Sequence, residues 1–323
     1  LAGIVSSGEG REEKRMSRIL IGILALVVLV LAGLWLFTRS GPSVVPVDET
    51  SPYWLDADRR VDLEGRSVRV RIEGPETAPV LVMIHGFSFS LESWDAWAAD
   101  LAADYRVVRM DLPAHGLTGP DPQRRYSIPE TVDFTADLLD ALEISDATII
   151  GNSLGGLVAW RLAADRPDLA TRLVLVAPGA YSINGVTEDP VPVPAGIAFY
   201  FRSAPQVMIN AATAGLYGDA SRMDPAVPER VGDLMGGDGI GDALVERLEV
   251  FTLPDPTADL ARVTADTLVL WGGLDAMIPV EHADRIIGDL QRARAIIYDD
   301  LGHVPHEEDP ARTLIDVRAF LED

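Results

Sequence analysis

Residues 149–156 read Ile-Ile-Gly-Asn-Ser-Leu-Gly-Gly: an apolar β-branched run, a serine in a turn of small residues, and then a helical pattern from Leu157. No other part of the chain constrains the fold as much. A G-x-S-x-G motif between a strand and a helix forces a sharp turn that pushes the serine hydroxyl out to where a base and a substrate can reach it. Such a turn needs small neighbours, which Gly151, Gly155 and Gly156 supply. Ser153 is therefore the candidate nucleophile. The backbone N–H of Leu154, directly after it, is a candidate donor to an oxyanion. A Gly/Ser turn of purely structural purpose is the competing reading, and a matching acid and base downstream argue against it.

Short apolar runs alternate with helical patterns around this turn. Strands are predicted at 68–72, 80–84, 106–110, 148–150, 173–176, 267–271 and 295–298, and helices at 94–101, 129–142, 157–164, 282–290 and 311–321. The run Val-Leu-Val-Met-Ile at 80–84 is apolar throughout, as a strand covered on both faces is. Arg69 and Arg71 alternate with apolar residues, so 68–72 reads as an antiparallel edge strand. The alternation predicts an α/β fold, a mainly parallel sheet with helices on both faces. It breaks at about residues 180–258, a stretch rich in Pro and Gly with aromatics at Phe199, Tyr200 and Phe201. An insertion at that point sits above the carboxyl ends of the strands, where ligands of open α/β sheets bind. It is read as a helical lid.

The formal net charge is −23, from 27 basic and 50 acidic residues. A nucleic-acid partner, which requires a basic stripe, is excluded on that ground. There is no cysteine, so disulfides, thiolate chemistry and Cys-ligated zinc are excluded as well.

Residues 19–37 form an uncharged run of 19 residues, long enough at helical rise to cross a bilayer core of about 30 Å. Arg11, Lys14, Arg15 and Arg18 precede it and Arg39 alone follows closely. This asymmetry predicts a cytoplasmic amino-terminal side and a catalytic domain on the outer, periplasmic or extracellular, side. The run is longer than the apolar core of a cleaved signal peptide and ends in Leu-Trp-Leu-Phe, a poor cleavage site. The expected organisation is a cytoplasmic tail at 1–18, a transmembrane signal-anchor at 19–37, a Pro/Gly-containing linker at 38–60 and a catalytic domain at 61–323. Residues 1–15 precede Met16 and read as a disordered tail or as sequence upstream of a start there.

A serine hydroxyl is a weak nucleophile at neutral pH and needs a base. Among the histidines after Ser153, His303 lies in Asp-Leu-Gly-His-Val-Pro just past a predicted strand, where a base belongs. His306 is its main rival, and His282 falls in the first turn of a predicted surface helix and is expected to be exposed. The carboxylate that orients the base is expected at Asp275, in a Gly-Gly-Leu-Asp loop after the strand at 267–271. Asp266, Asp299 and Asp300 are alternatives that precede or end strands. The second oxyanion donor is expected at the N–H of Phe87, with Ser88 next, in the loop His85-Gly86-Phe87-Ser88. His85 reads as a residue that pins this loop. No metal or organic cofactor is required.

At these residues the chain resembles the α/β-hydrolase superfamily. His85-Gly86-Phe87, Asp111-Leu112-Pro113-Ala114-His115-Gly116, Gly151-Asn152-Ser153-Leu154-Gly155-Gly156, Gly272-Gly273-Leu274-Asp275 and Gly302-His303 recur in the family's order, over about residues 60–321. Ala114 departs from the glycine that relatives often carry. The resemblance implies an eight-stranded, mostly parallel sheet with a lid after the sixth strand. It also implies a serine hydrolase acting through an acyl-enzyme. The amino-terminal run with His-Gly-Phe-Ser is similar to membrane-bound monoacylglycerol lipases, which points to a small-molecule or lipid ester as substrate. Gly-Asn-Ser-x-Gly-Gly is also similar to the meta-cleavage product hydrolases, which cut carbon–carbon bonds; an arginine in the pocket, with Arg202 of the lid as candidate, would favour that alternative or a lactonase. A non-catalytic binding protein on the same fold is the remaining alternative.

Overall fold

The computed structural model describes residues 45–323, and the apolar run at 19–37 lies outside them. Among the described residues no helix is long and apolar enough to cross a membrane. They form one sheet of eight strands: β1 (Asp58–Leu63), β2 (Arg66–Glu73), β3 (Val80–Ile84), β4 (Arg106–Met110), β5 (Ala147–Asn152), β6 (Ala170–Val176), β7 (Asp266–Gly272) and β8 (Ala293–Tyr298). The order across the sheet is β1-β2-β4-β3-β5-β6-β7-β8. β1, β2 and β4 pair antiparallel, and every pairing from β4 onward is parallel.

Helices interleave with the strands as α1 (Asp95–Leu101), α2 (Ile128–Ala141), α3 (Leu154–Asp165), α4 (Ala195–Ser203), α5 (Gln206–Ala214), α6 (Ala226–Met235), α7 (Ile240–Glu249), α8 (Thr257–Leu260), α9 (Glu281–Asp289), α10 (Pro305–Glu308) and α11 (Pro310–Glu322). Alternate residues of each strand point to opposite faces. Val82 and Ile84 of β3 join Ile149, Leu173 and Val269 in a core under α2, α3 and α9. Leu81 and Met83 join Ile150, Val174 and Leu268 in a second core with Trp94, Trp97 and Phe320, under α1 and α11. Both faces are thus dry, which is why β3 at the centre of the sheet is continuously apolar.

The register places the carboxyl ends of the parallel strands side by side. Ile84 pairs with Gly151, Asn152 with Val176 and Gly272 with Tyr298. The loops after β3, β5, β7 and β8 therefore emerge at one edge of the sheet. Helices α4 to α7, in the stretch read as a lid, lie over that edge, with their own apolar cluster around Ile209, Val231, Ile240 and Leu244.

One expectation is corrected by the strand order. The strand carrying Arg69 and Arg71 is not at the edge; β1 lies outside it. The two arginines do not face water. Arg69 is fully buried and pairs with Asp58 at 2.7 Å, Glu92 at 2.6 Å and Asp111 at 3.2 Å. Arg71 is ion-paired to Asp58 and Glu92. Buried guanidinium groups persist when carboxylates surround them, and here Asp58 of β1, Glu92 of the short 3-10 turn at 91–94 and Asp111 just past β4 supply the carboxylates.

Within the stretch read as a linker, residues 45–57 pack on the domain. Val45 is buried with Leu117 and Leu234 of α6. The Tyr53 hydroxyl donates to Asp233 Oδ2 of α6 at 2.8 Å. The backbone oxygen of Tyr53 accepts from both buried arginines. This segment forms a strap between the lid and the antiparallel end of the sheet.

Candidate active site

Ser153 sits between β5 and α3 with φ 54° and ψ −112°. A non-glycine residue held at positive φ persists only when its surroundings fix it. Its N–H donates to Val176 O of β6 at 3.0 Å, and its carbonyl accepts from the N–H groups of Leu157 and Gly179, each at 3.0 Å. The helix that follows is pressed against the end of β3: a Cβ on Gly155 would stand 2.1 Å from Ile84 O, so only glycine fits. The N–H of Leu154, as the first residue of α3, points out of the helix end without an intrahelical acceptor.

Asp275 follows β7, and its side chain is fully buried. Oδ1 accepts from the N–H groups of Met277 at 2.8 Å and Ile278 at 2.9 Å. Oδ2 accepts from Trp271 Nε1 at 3.0 Å and from His303 Nδ1 at 2.8 Å. A carboxylate engaged by donors on both oxygens acts as an acceptor only. His303 must then carry its proton on Nδ1, which leaves the Nε2 lone pair free to take a proton. His303 is itself held by its main chain, with its N–H donating to Leu216 O at 2.7 Å and its carbonyl accepting from Asn152 Nδ2 at 3.2 Å.

The rival residues lie elsewhere. His306 is buried with its ring 4.3 Å from that of Trp94 and lines neither of the cavities at Ser153. Burial, with neighbouring His303 adding to it, pushes its imidazole down to about 3. His282 is also buried, edge-on to Tyr181 with ring centres 5.2 Å apart, contrary to the exposure expected of it. Asp300 is paired with Arg222 at 2.9 Å and Arg312 at 2.6 Å at the surface, and Asp266 with Arg292 at 3.2 Å. His85 accepts the Leu112 N–H on Nε2 at 3.0 Å and donates from Nδ1 to Gly86 O at 2.7 Å. It ties the loop that carries Phe87 to the end of β4.

Two cavities meet at Ser153. One, of about 200 Å³, is bordered by Ser88, Asn152, Tyr200 and Thr213, so polar groups fringe it. The other, of about 230 Å³, is walled by Leu157, Ile183, Val186, Leu248 and Phe251. Phe87, Ser153, Met277 and His303 line both. Arg202 lines neither; it pairs with Asp242 at 2.6 Å on the lid surface. Among the described residues no group of three or more His, Cys, Asp and Glu could hold a metal ion.

Sequence reasoning passed over three residues that hold this arrangement. Trp271 reads only as an apolar strand residue, yet its indole N–H binds Asp275. Asn152 links Val176 O to His303 O through one amide group. Glu308 lies in an acidic run that reads as surface solvation, and it is buried. Asn152 alone carried a signal, its place beside the serine.

A sequence model described as the alpha/beta hydrolase family matches residues 81–317. The chain belongs to this family. A protein of Mycobacterium tuberculosis described as uncharacterized is 30% identical over 305 residues, covering 86% of this chain and 84% of its own. The pimeloyl-[acyl-carrier protein] methyl ester esterase of Nitrosomonas europaea is 26% identical over 242 residues, covering 73% of this chain and 93% of that enzyme. In fold the chain is similar to a crystal structure of a membrane phospholipase A, with a TM-score of 0.69 and 21% identity over 95% of this chain and 98% of that one. The eight-stranded sheet and the helices inserted after β6 are those of an α/β-hydrolase family member.

Proposed function

We propose that this family member is a serine hydrolase of carboxylic esters with an apolar acyl chain, such as medium-chain acyl esters or monoacylglycerols. The observation that carries the proposal is that His303, paired with the buried Asp275 at 2.8 Å, lines the same two cavities as the strained Ser153. In this reading Ser153 Oγ attacks the ester carbonyl carbon and gives its proton to His303 Nε2. Asp275 keeps the ring oriented and stabilises its positive charge. The amides of Phe87 and Leu154 hold the oxyanion of the tetrahedral intermediate. Collapse expels the alcohol, which takes the proton from His303, and leaves an acyl group on Ser153. Water, deprotonated by the same ring, then releases the acid and restores the serine.

The ester reading is favoured over cleavage of an anionic diketone by the lining of the cavities. Neither contains an arginine or lysine among the described residues, and Arg202 is engaged by Asp242. The esterase name of the Nitrosomonas europaea relative supports the same reaction class. The apolar walls of the cavity of about 230 Å³, from Leu157 and Ile183 to Leu248 and Phe251, suit an acyl chain. Across a series of p-nitrophenyl esters, kcat/KM is expected to be higher for medium-length acyl chains than for acetate and to exceed that for a meta-cleavage diketone. Preference for acetate, or for the diketone, would overturn the substrate assignment. Failure of a fluorophosphonate to label Ser153 would favour a non-catalytic binding protein.

The proposal includes membrane anchoring by residues 19–37, with the catalytic domain on the outer side, argued from the charge asymmetry around that run. The chain from Ser43 onward is expected to be soluble and to match the full chain on a water-soluble ester. It should be less active on membrane-dispersed monoacylglycerol. Starting instead at Asp58 removes the strap that buries Val45 and ties Tyr53 to Asp233. That shorter chain should melt several degrees lower, since about 1–2 kcal/mol shifts the midpoint by that much. Equal melting temperatures, or a carboxyl-terminal reporter found in the cytoplasm, would count against this part.

A further inference from the structure

Glu308 ends α10, five residues after His303, and its side chain is fully buried. Its carboxylate faces three main-chain donors from two separate segments, with the Arg222 guanidinium 3.8 Å from Oε1. Oε2 accepts from the N–H of Gly302 at 2.7 Å and from that of Gly218 at 2.9 Å. Oε1 accepts from the N–H of Asp219 at 2.8 Å. Gly302 belongs to the loop that presents His303, whereas Gly218 and Asp219 belong to the lid just after α5. The two segments also touch directly. The His303 N–H donates to Leu216 O, and a Cβ on Gly302 would stand 2.4 Å from that same oxygen. The adjacent Glu307 takes a hydrogen bond from the Tyr217 hydroxyl at 3.0 Å.

We propose that Glu308 is a positioning residue for His303, a carboxylate clamp that fixes the base loop to lid residues 216–219. The inference rests on the assignment of His303 as the base. Holding a ring in place to within a fraction of an ångström demands a rigid loop. Gly302 has no side chain to pack, so at that point the loop is held by what its main chain binds. A carboxylate is the one side chain able to accept from three converging N–H groups without offering a donor of its own. Removing it leaves buried donors unpaired and lets the loop shift. The clamp also joins two motions: displacement of residues 216–219 with the lid would carry His303 away from Ser153.

Glu308→Gln places an amide nitrogen among N–H donors, and kcat is expected to fall about 10–100-fold with KM changed less than about twofold. The same substitution made in His303→Ala should leave the residual rate unchanged, because Glu308 acts only through the ring. Glu308→Ala is the second variant, assayed with added formate; kcat should rise with formate at constant KM as the small carboxylate takes up the three donors. Tyr217→Phe serves as the comparison: it removes the neighbouring lid tie and should lower the melting temperature with little change in kcat. A wild-type kcat in Glu308→Gln would overturn the proposal. So would an equal drop in the His303→Ala background, which would mark a general effect on the fold, or an absence of response to formate. Full activity in His303→Ala itself would instead overturn the assignment of the base.

Discussion

Ser153→Ala is expected to fold normally and to lose at least about 10⁴-fold in ester hydrolysis, the scale of losing a nucleophile from a serine–histidine–aspartate set. The backbone at this position is fixed by hydrogen bonds to β6, α3 and Gly179 and not by the hydroxyl. Alanine at φ 54° meets the same backbone cost as serine. The measurement is the steady-state rate on a p-nitrophenyl ester alongside the thermal midpoint. An unchanged midpoint with more than a few per cent of the activity retained would place the nucleophile elsewhere.

His303→Ala is expected to be nearly as inactive, whereas His306→Leu should keep most of the activity. The two residues are three apart in sequence but belong to different environments. The ring of His303 reaches Asp275, and that of His306 packs on Trp94 and Trp97. His306 also contributes to acid sensitivity. Its folded-state value lies near 3, held down by burial, against an ordinary histidine value of about 6.5. A group whose folded value is depressed favours the folded state above its unfolded value, and that contribution is lost as pH falls from about 6.5 toward 3. Burial pushes neighbouring Glu307 up to about 7, which acts in the opposite sense as pH rises from about 4.5 to 7. The difference between His306→Leu and the parent isolates the histidine: the variant should lose less stability between about pH 6.5 and 4. An inactive His306→Leu beside an active His303→Ala would reverse the two roles. Melting curves that shift in parallel with pH would remove His306 from the acid response.

What could be read from the sequence follows from where local pattern and tertiary environment agree. β3 matches its predicted bounds because a strand covered on both faces is apolar throughout, and β4 matches through its apolar centre, its Arg109 being buried against Glu73 and Asp95. β1 was invisible: Asp-Arg-Arg-Val-Asp-Leu at 58–63 has no strand-like alternation. It pairs because Asp58 answers the buried arginines of the next strand. The same network explains why Arg69 and Arg71 misled, since alternating charge signals a wet face only when no carboxylates are folded over it. Asp275 and His303 stood out because each follows an apolar run and lies beside glycines. Glu308 did not, because in a chain with 50 acidic residues a lone glutamate has no pattern that separates a buried clamp from a solvated surface. Its hydrogen-bond donors are main-chain N–H groups, which leave no trace in side-chain identity. His282 shows the same limit, as the first turn of an amphipathic helix is buried here by Tyr181 from another element.

The turn at Ser153 has a consequence for how this protein can diverge. Its position is written in main chain: strand β6 grips its N–H, Gly179 and Leu157 grip its carbonyl, and Gly155 lets the helix close in behind it. None of those contacts uses the hydroxyl. The elbow is therefore a socket into which another nucleophilic side chain of similar size could be set by a single codon. Moving the proposed nucleophile one residue along would mean rebuilding the junction of β5 and α3. Chemistry at this site is cheap to change, and its address is not.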